Sequence, residues 1–312
     1  MALALRITRS PSSDIASARW LLTRTVSWIR SNRDQFSLAL AVDAAHRIEL
    51  IKPLGELALA AELLTRHAAY RHVGANLLAW CWAELDEGQG LLDLLSARPD
   101  LLVVATILGG FRRRGFRSRP LEGFIRYVAG TRYRAALQLP NWRALDLQHA
   151  LTRLGVASRG THSDVKRTWC SRLPEPWLID HDSAYAFTHE VFYITDFGRF
   201  SGRLPKATRE YIRLWLPAWL SIYERKHDLD VYCELLMVAA CTTRTWGLRD
   251  AFACCTASFD EHGYLPSPEG GGRNLLRRGM SAERKKFLNC YHTTLVGMLA
   301  ALLCVLQRPN RR

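Results

Sequence analysis

Apolar residues recur at helical spacing along most of the chain, and no pair of alternating strands joined by a hairpin turn is recognisable. Short connections separate the periodic segments, which is typical of antiparallel helices stacked side by side. Pro53 lies between two of them, because proline opens a helix more readily than it sits inside one. In the first 111 residues the predicted helices are 14–31, 37–51, 54–67, 74–85, 88–97 and 99–111.

The middle of the chain, 112–176, is richer in arginine, glycine and proline than the rest. It holds only weaker periodic segments, at 121–129, 142–154 and 163–173. A junction between two halves, 1–135 and 136–312, can lie there. We nevertheless expect a single helical domain over 1–312, because helical arrays often keep one continuous core over such a length.

Two kinds of helix alternate in the C-terminal half, where the predicted helices are 183–197, 205–226, 229–243, 247–260 and 282–307. Residues 205–226 carry charged side chains on one face, as a helix exposed to water does, whereas 229–243 and 291–306 are apolar nearly all round. Outer and inner helices in alternation close into an α/α toroid or curl into a helical solenoid of antiparallel hairpins. The sequence therefore predicts an all-α fold with one of these architectures.

Reactive side chains stand in front of three apolar helical stretches. His189 precedes the first, Asp230 and Glu234 precede the second, and His292 precedes the third. If the inner helices of a toroid run parallel, their N-termini meet at one end of the cavity, where unpaired N–H groups and the helix dipole favour anions. Burial beside apolar walls shifts the pKa of a histidine or a carboxyl group toward neutrality. We therefore predict a catalytic centre for acid–base chemistry at these four residues.

A zinc site is a second interpretation of the same region. Asp230, Cys233 and His292 offer the carboxylate, thiolate and imidazole ligands that suit zinc, and the first two lie three residues apart on one helical face. Their spacing matches neither H-E-x-x-H nor a paired C-x-x-C. The structural alternative is an aspartate that caps a helix, a histidine that makes a core hydrogen bond and a cysteine that packs as a small hydrophobe.

Asp196 follows the predicted helix that contains His189. A carboxylate at a helix C-terminus opposes the dipole and is unfavourable without a partner. A salt bridge with an arginine such as Arg199 or Arg203 would supply one, and so would a catalytic histidine that Asp196 orients. Both interpretations stay open, and Asp196 is included among the candidate catalytic residues.

A glycine-rich segment, 263–279, separates the last two predicted helices. Gly270, Gly271 and Gly272 match no phosphate-binding loop, since no strand precedes them and no G-K-[ST] follows. We predict a flexible connection here. The neighbouring His262 is expected at the surface, unless the segment lies over the mouth of the cavity.

The formal net charge is +14, from 43 Lys and Arg against 29 Asp and Glu, so an acidic partner would be drawn to the surface. The densest arginine cluster includes Arg112, Arg113 and Arg114 and continues among aromatic residues to Arg134. It suits a phosphate or nucleic-acid contact, or a solvated loop after a buried helix. Nucleic acid is not the favoured partner, because no recognised nucleic-acid motif accompanies the cluster.

The eight cysteines lie mostly inside apolar runs and lack the spacing of a disulfide framework, which predicts a reduced, cytoplasmic setting. Residues 1–13 contain no long apolar stretch with a small-residue cleavage site, so we predict no secretory signal. The most apolar segment, 295–306, is shorter than the roughly 20 residues that a bilayer span needs. We predict a buried core helix there and no membrane span.

Three stretches resemble the motifs of an uncharacterised, mainly actinobacterial family of helical proteins. They are T-H-E-V-F-Y-I-T-D-F-G at 188–198, D-L-D-V-Y-C-E-L-L at 228–236 and Y-H-T-T-L-V at 291–296. The resemblance covers roughly residues 180–305. It implies no particular activity, but it implies a place in specialised-metabolite gene clusters.

The chain is also similar, more weakly, to the β subunits of protein prenyltransferases, which are α/α toroids with a zinc site. Asp230, Cys233 and His292 would correspond to its ligands, although the spacing from Asp to Cys differs from the pattern of that family. Class II terpene cyclases share the fold. Their D-x-D-D motif is incomplete here, because Val231 follows Asp230.

These observations predict a tailoring enzyme of natural-product biosynthesis. Its substrate would be a peptide or another partly anionic molecule, and its chemistry acid–base or metal-assisted in a central cavity. No G-x-S-x-G motif occurs, which disfavours a serine hydrolase of the usual type. The alternative is a non-catalytic protein whose basic surface holds an acidic partner, such as a leader peptide, a carrier protein or RNA.

Overall fold

The computed structural model describes residues 12–156, 167–242 and 251–306, and all regular secondary structure in these ranges is helical. The predicted all-α class is confirmed. The α-helices are α1 (Ser12–Ser31), α2 (Ala44–Leu64), α3 (Arg71–Glu84), α4 (Gln89–Ala97), α5 (Leu108–Arg113), α6 (Arg119–Gly130), α7 (Arg132–Ala136), α8 (Asn141–Arg153), α9 (Trp169–Arg172), α10 (His181–Thr195), α11 (Lys206–Arg225), α12 (Leu229–Thr242), α13 (Ala251–Ala257) and α14 (Ala282–Leu306).

The predicted break at Pro53 is wrong. In place of separate helices over 37–51 and 54–67, α2 runs without interruption through Pro53. Proline inside a helix costs about 3 kcal/mol, but apolar side chains on both sides of it are buried and offset that cost. Those side chains are Leu50, Ile51, Leu54 and Leu57. As a result, Lys52 and Glu56 lie one turn apart on one continuous helix.

Most other predicted boundaries agree with the structure to within a few residues. The exceptions lie beside parts of the chain that the structure does not describe. Of the helix predicted at 163–173, Trp169–Arg172 is helical and residues 157–166 lie outside the described ranges. Of the helix predicted at 247–260, Ala251–Ala257 is helical, and the part before it is likewise outside.

Six helical segments contact one another in a closed order, which we call the six-helix cycle. The 3-10 helix Pro99–Ile107 and α5 form one segment of it, and α2 packs against this segment. The segment packs against α8, α8 against α10, α10 against α12, α12 against α14, and α14 against α2 again. The remaining large helices lie against members of the cycle, for example α1 against α14 and α11 against α12.

Three neighbouring pairs in the cycle run in the same direction, because the two contacts that join each pair follow the same order along both helices. The pairs that show this are Trp142–Tyr185 and Arg153–Asp196 for α8 and α10, Thr188–Glu234 and Thr195–Cys241 for α10 and α12, and Asp230–Thr293 and Cys233–Gly297 for α12 and α14. A closed order of parallel helices favours the toroid over the open solenoid. The toroid itself stays a prediction.

Burial separates inner from outer helices as predicted. Every residue of α12 except Asp230 is buried, whereas α11 buries one face only. Among the described residues, α14 is the one helix long and apolar enough, by length and composition, to cross a membrane. Because 78% of its apolar window is buried inside the protein, α14 has the environment of a core helix.

Candidate functional site

A cavity of about 200 Å³ opens at the end of the six-helix cycle where α10 and α12 begin, and we call it the acid–base cavity. Asp230 and Glu234 of α12 line it together with His292 of α14. The helical walls also include Lys52 of α2, His181 and Tyr185 of α10, Val231 of α12 and Tyr291 of α14. The glycine-rich segment contributes the rest of the lining, namely Ser267, Gly271, Gly272, Asn274 and Leu275.

His292 forms an ion pair with Glu56 at this cavity. The distance from its Nδ1 to Glu56 Oε2 is 3.0 Å. Burial lowers the pKa of His292, but the Glu56 carboxylate outweighs burial and raises that pKa to about 9. Burial raises the pKa of Glu56, but the charges of His292 and Lys52 outweigh burial and lower that pKa to about 2. At neutral pH the pair is therefore an imidazolium that donates to a carboxylate.

Glu234 and Asp230 lie one turn apart on α12 and face the same cavity. Burial raises the pKa of Glu234 to about 8, and the charge of Asp230 raises it as well. The hydrogen bond that the Thr188 hydroxyl donates to Glu234 lowers this pKa but does not outweigh burial. Burial also raises the pKa of Asp230, which accepts a hydrogen bond from Thr293. Two close carboxyl groups cannot ionise independently, so Glu234 keeps its proton at neutral pH.

His189 lies behind this cavity and does not line it. Its Nδ1 is 2.8 Å from the carbonyl oxygen of Tyr185, which accepts the Nδ1 proton, and 3.6 Å from Glu234 Oε2. Burial lowers the pKa of His189 to about 3, so the ring is neutral. The structure thus brings His189, Asp230, Glu234 and His292 together, with His189 against the carboxyl group of Glu234 and not against the open space.

The expected helix N-termini are absent at two of these positions. His189 lies in the middle of α10 and His292 in the middle of α14, so only α12 begins beside its reactive residues. The prediction that all three groups stand at helix starts is wrong, because polar residues continue each helix for two or more turns ahead of the apolar stretch. The groups meet because parallel packing brings these turns to the same level.

Cys233 does not join Asp230 and His292. Its Sγ is 3.6 Å from Sγ of Cys255, and this contact together with burial raises the pKa of the Cys233 thiol. Within the three described ranges, no group of three or more His, Cys, Asp or Glu side chains is placed to hold a metal ion. The donor set predicted for zinc is therefore not assembled here, and we derive no step through a metal.

Asp196 lies at the opposite end of α10 from the acid–base cavity, with a left-handed backbone (φ 51°). It pairs with Arg113 at 2.8 Å, with Arg153, and with His149 at 3.0 Å. Burial opposes ionisation, but these partners hold its pKa well below the usual range. Of the two interpretations left open by the sequence, the structure has the arginine pairing, but with Arg113 and Arg153 and not with Arg199 or Arg203, and Asp196 does not contact His189.

The first three arginines of the predicted cluster all contact carboxylates. Arg112 pairs with Glu122, and Arg113 with Asp196. Arg114 lies 3.7 Å from Oε1 of Glu62, a carboxylate whose side chain is fully buried. A buried carboxylate needs a cation nearby, and Arg113 and Arg114 balance the charge of Glu62.

Sequence reasoning missed Glu56 and Lys52. Their only signal in the sequence is a lysine and a glutamate four residues apart within an otherwise apolar run of α2. Charged residues inside such a run indicate a polar site in the core or a solvent-facing stripe. The sequence does not say which, because the partner of Glu56 is 236 positions away.

Comparison with curated proteins and with solved structures finds no match to this chain. Comparison with protein families finds one that matches residues 22–302, which span nearly all of the described helices. The matched region includes every residue of the acid–base cavity. The chain therefore belongs to the family described as a domain of unknown function, DUF6895.

Proposed function

We propose that this protein is an enzyme that transfers protons to and from a small polar substrate in the acid–base cavity. The observation that carries the proposal is the pair of carboxyl groups on one wall, Glu234 with a pKa of about 8 and Asp230 one turn away. Pairs of titratable groups whose environments separate their pKa values are typical of acid and base partners in catalysis.

Each group has a distinct role in this proposal. Glu234 donates its proton to a substrate oxygen or nitrogen, and Asp230 accepts a proton from the substrate. The His292 imidazolium, held by Glu56, stabilises negative charge that develops on a substrate oxygen. His189 is a positioning residue, because it contacts Glu234 and not the cavity.

The cavity volume limits the substrate. About 200 Å³ is less than the roughly 300–1,000 Å³ of pockets that enclose drug-sized ligands. The cavity therefore suits a small molecule or a single side chain of a larger substrate, such as one residue of a peptide. Ser267, Asn274 and Tyr185 add hydrogen-bonding groups to the charged ones on the wall.

We propose further that the reaction tailors a natural product in the cytoplasm. The support is the resemblance of 188–198 and 291–296 to motifs of mainly actinobacterial proteins that are expected in specialised-metabolite gene clusters. Zinc is not part of the mechanism proposed here. Metal analysis of the purified protein tests that point, and a full equivalent of zinc lost together with activity on chelation would contradict it.

The decisive experiment starts from deletion of the gene in its native host, followed by isolation of the compound that accumulates. Purified wild-type protein should consume this compound. The variants Glu234→Gln and Asp230→Asn should consume it at least roughly 100-fold more slowly, because each removes one proton-transfer group. Glu190→Gln is the matched control, since Glu190, on α10, is buried like Glu234 but accepts a hydrogen bond from the N–H of Cys170, away from the cavity.

Stability separates loss of chemistry from loss of fold. Burial raises the pKa of Glu234 from 4.5 to about 8, so between these pH values the unfolded chain loses this proton while the folded protein keeps it, and the free energy of unfolding falls. Glu234→Gln removes this cost and should be at least as stable as wild type near pH 8. A folded Glu234→Gln protein that works at the wild-type rate, or a wild-type protein that leaves the compound untouched, would contradict the proposed function.

A further inference from the structure

A second cavity, of about 570 Å³, opens at the end of the six-helix cycle where the helices terminate. Arginine side chains from three elements line it, and we call it the arginine cavity. They are Arg66 after α2, Arg113 and Arg114 at the end of α5, and Arg199 after α10. The acid–base cavity lies at the other end of the same helices and shares no lining residue with it.

Positive charge exceeds negative charge around the arginine cavity. Among the described residues, the carboxylates there are Glu62, which lines the cavity, and Asp196, which pairs with the lining residue Arg113. Arg153 adds a fifth guanidinium through its pair with Asp196. Within the part of the chain that the structure describes, five arginines against two carboxylates leave three positive charges in excess, in a place where neighbouring protein weakens screening by water.

Two of the lining arginines keep most of their hydrogen-bonding capacity. Arg114 approaches Glu62 to 3.7 Å, which is an ion pair but too long for a hydrogen bond. Arg199 packs over the ring of Phe200 at 5.2 Å and pairs with no carboxylate among the residues that the structure describes. A guanidinium has five N–H donors, so both can donate to a ligand in the cavity.

The rest of the wall is apolar. Phe197, Leu303 and Leu306 line the cavity beside the arginines. A ligand that satisfies both kinds of wall has an anionic head and an apolar body. Its head must carry at least two negative charges to match the excess, and the planar fork of arginine binds phosphate oxygens two at a time. The volume is also within the range of pockets that enclose small organic ligands.

We propose that the arginine cavity binds a phosphate or diphosphate ester of a small apolar molecule. The proposal does not depend on the acid–base chemistry at the other end of the cycle. It narrows the acidic partner expected from the net charge of +14 to a small organic phosphate at one defined site.

Isothermal titration with inorganic phosphate and with inorganic diphosphate tests the head-group part of the site. Diphosphate should bind the wild-type protein, and Arg114→Gln combined with Arg199→Gln should weaken binding by tenfold or more. Arg126→Gln combined with Arg132→Gln is the matched control, because both arginines are exposed, lie outside the cavity and carry the same total charge. This control and Glu234→Gln should both keep the wild-type affinity.

Three results would overturn the proposal. The first is that neither anion binds the wild-type protein at millimolar concentration. The second is that the control pair loses as much affinity as the cavity pair, which would assign binding to overall surface charge. The third is a short oligonucleotide that binds the wild-type protein while diphosphate does not compete with it. Both double variants should unfold thermally at the same temperature as wild type. If the cavity pair is unstable, the single variant Arg199→Lys is titrated in its place.

Discussion

At the scale of single residues, the acid–base cavity holds chemically similar groups in opposite protonation states. Glu56 is ionised because it contacts the His292 imidazolium, whereas Glu234 keeps its proton because it is buried and lies beside another carboxyl group. His292 and His189 differ in the same way, since only the first has a carboxylate within hydrogen-bond distance. Local neighbours, and not residue type, therefore decide which group can give a proton.

The ion pair of Glu56 and His292 should make stability depend on pH in a defined window. The pKa of His292 is raised from 6.5 to about 9, so its contribution is complete below pH 6.5 and is lost as the pH rises through 9. The pKa of Glu56 is lowered from 4.5 to about 2, so its contribution is complete above pH 4.5 and is lost as the pH falls through 2. The pair stabilises the fold fully between pH 4.5 and 6.5.

Glu56→Gln should therefore lower the free energy of unfolding by roughly 2 kcal/mol near pH 5.5, a modest loss because both side chains are partly exposed. Near pH 10 the loss should be much smaller, because His292 is then neutral. Urea unfolding at the two pH values measures the difference. Glu210→Gln, which removes an exposed pair with Lys206, is the control and should change little at either pH. An equal loss at both pH values would show that the Glu56 contact is not electrostatic.

At the scale of elements, the glycine-rich segment forms part of a cavity wall and is not merely the flexible connection that its composition predicts. Ser267 lies 2.7 Å from the hydroxyl of Thr293 on α14, and the N–H of Leu265 donates to Thr294. Close packing requires glycine at position 272, where a Cβ would lie 2.1 Å from the carbonyl oxygen of Leu288. The segment thus closes the cavity because its backbone can approach α14 directly.

Gly272→Ala should lower the free energy of unfolding by about 3 kcal/mol and weaken activity, because the segment must move away from α14 to admit the methyl group. Gly279→Ala isolates the backbone part of the effect. Its φ is also positive, at 85°, but nothing lies within 4 Å of its Cβ position, so it should cost only about 1 kcal/mol. Chemical unfolding compares the two, and equal losses would contradict the close approach at position 272.

At the scale of the whole molecule, buried ion pairs join four members of the six-helix cycle at the end opposite to the acid–base cavity. Asp196 after α10 pairs with Arg113 of α5 and Arg153 of α8. Glu62 of α2 pairs with Arg66 and contacts Arg113. Removal of one partner from such a network leaves charges buried without compensation, which costs more than the pair contributes.

Asp196→Asn should lower the free energy of unfolding by about 3–5 kcal/mol. Asparagine adopts the left-handed conformation readily and has nearly the same size, so the loss reports the charge and not the backbone. Asp100→Asn removes an exposed pair with Arg98 and should change the free energy of unfolding only slightly, because water screens that pair. Thermal or urea unfolding measures both, and a small effect at Asp196 would mean that water already reaches its arginine partners.

Short-range information in the sequence accounts for the helices and for which of them are inner. Helical periodicity is local, and the continuous apolar surface of 229–243 could only belong to a buried helix. The one large error, at Pro53, arises because burial of the flanking leucines outweighs a local rule about proline. Asp230, Glu234 and His292 could be proposed as a centre because each stands at the polar edge of an apolar run.

Only the tertiary structure decided which of these groups meet and what charge they carry. The pairing of Glu56 with His292, the contact of Cys233 with Cys255 and the separation of Asp196 from His189 all depend on the packing of parallel helices far apart in sequence. The sequence by itself determined the helices, since their formation depends on neighbours within a few turns. Protonation and pairing depend on burial and distance in space, and folding sets both.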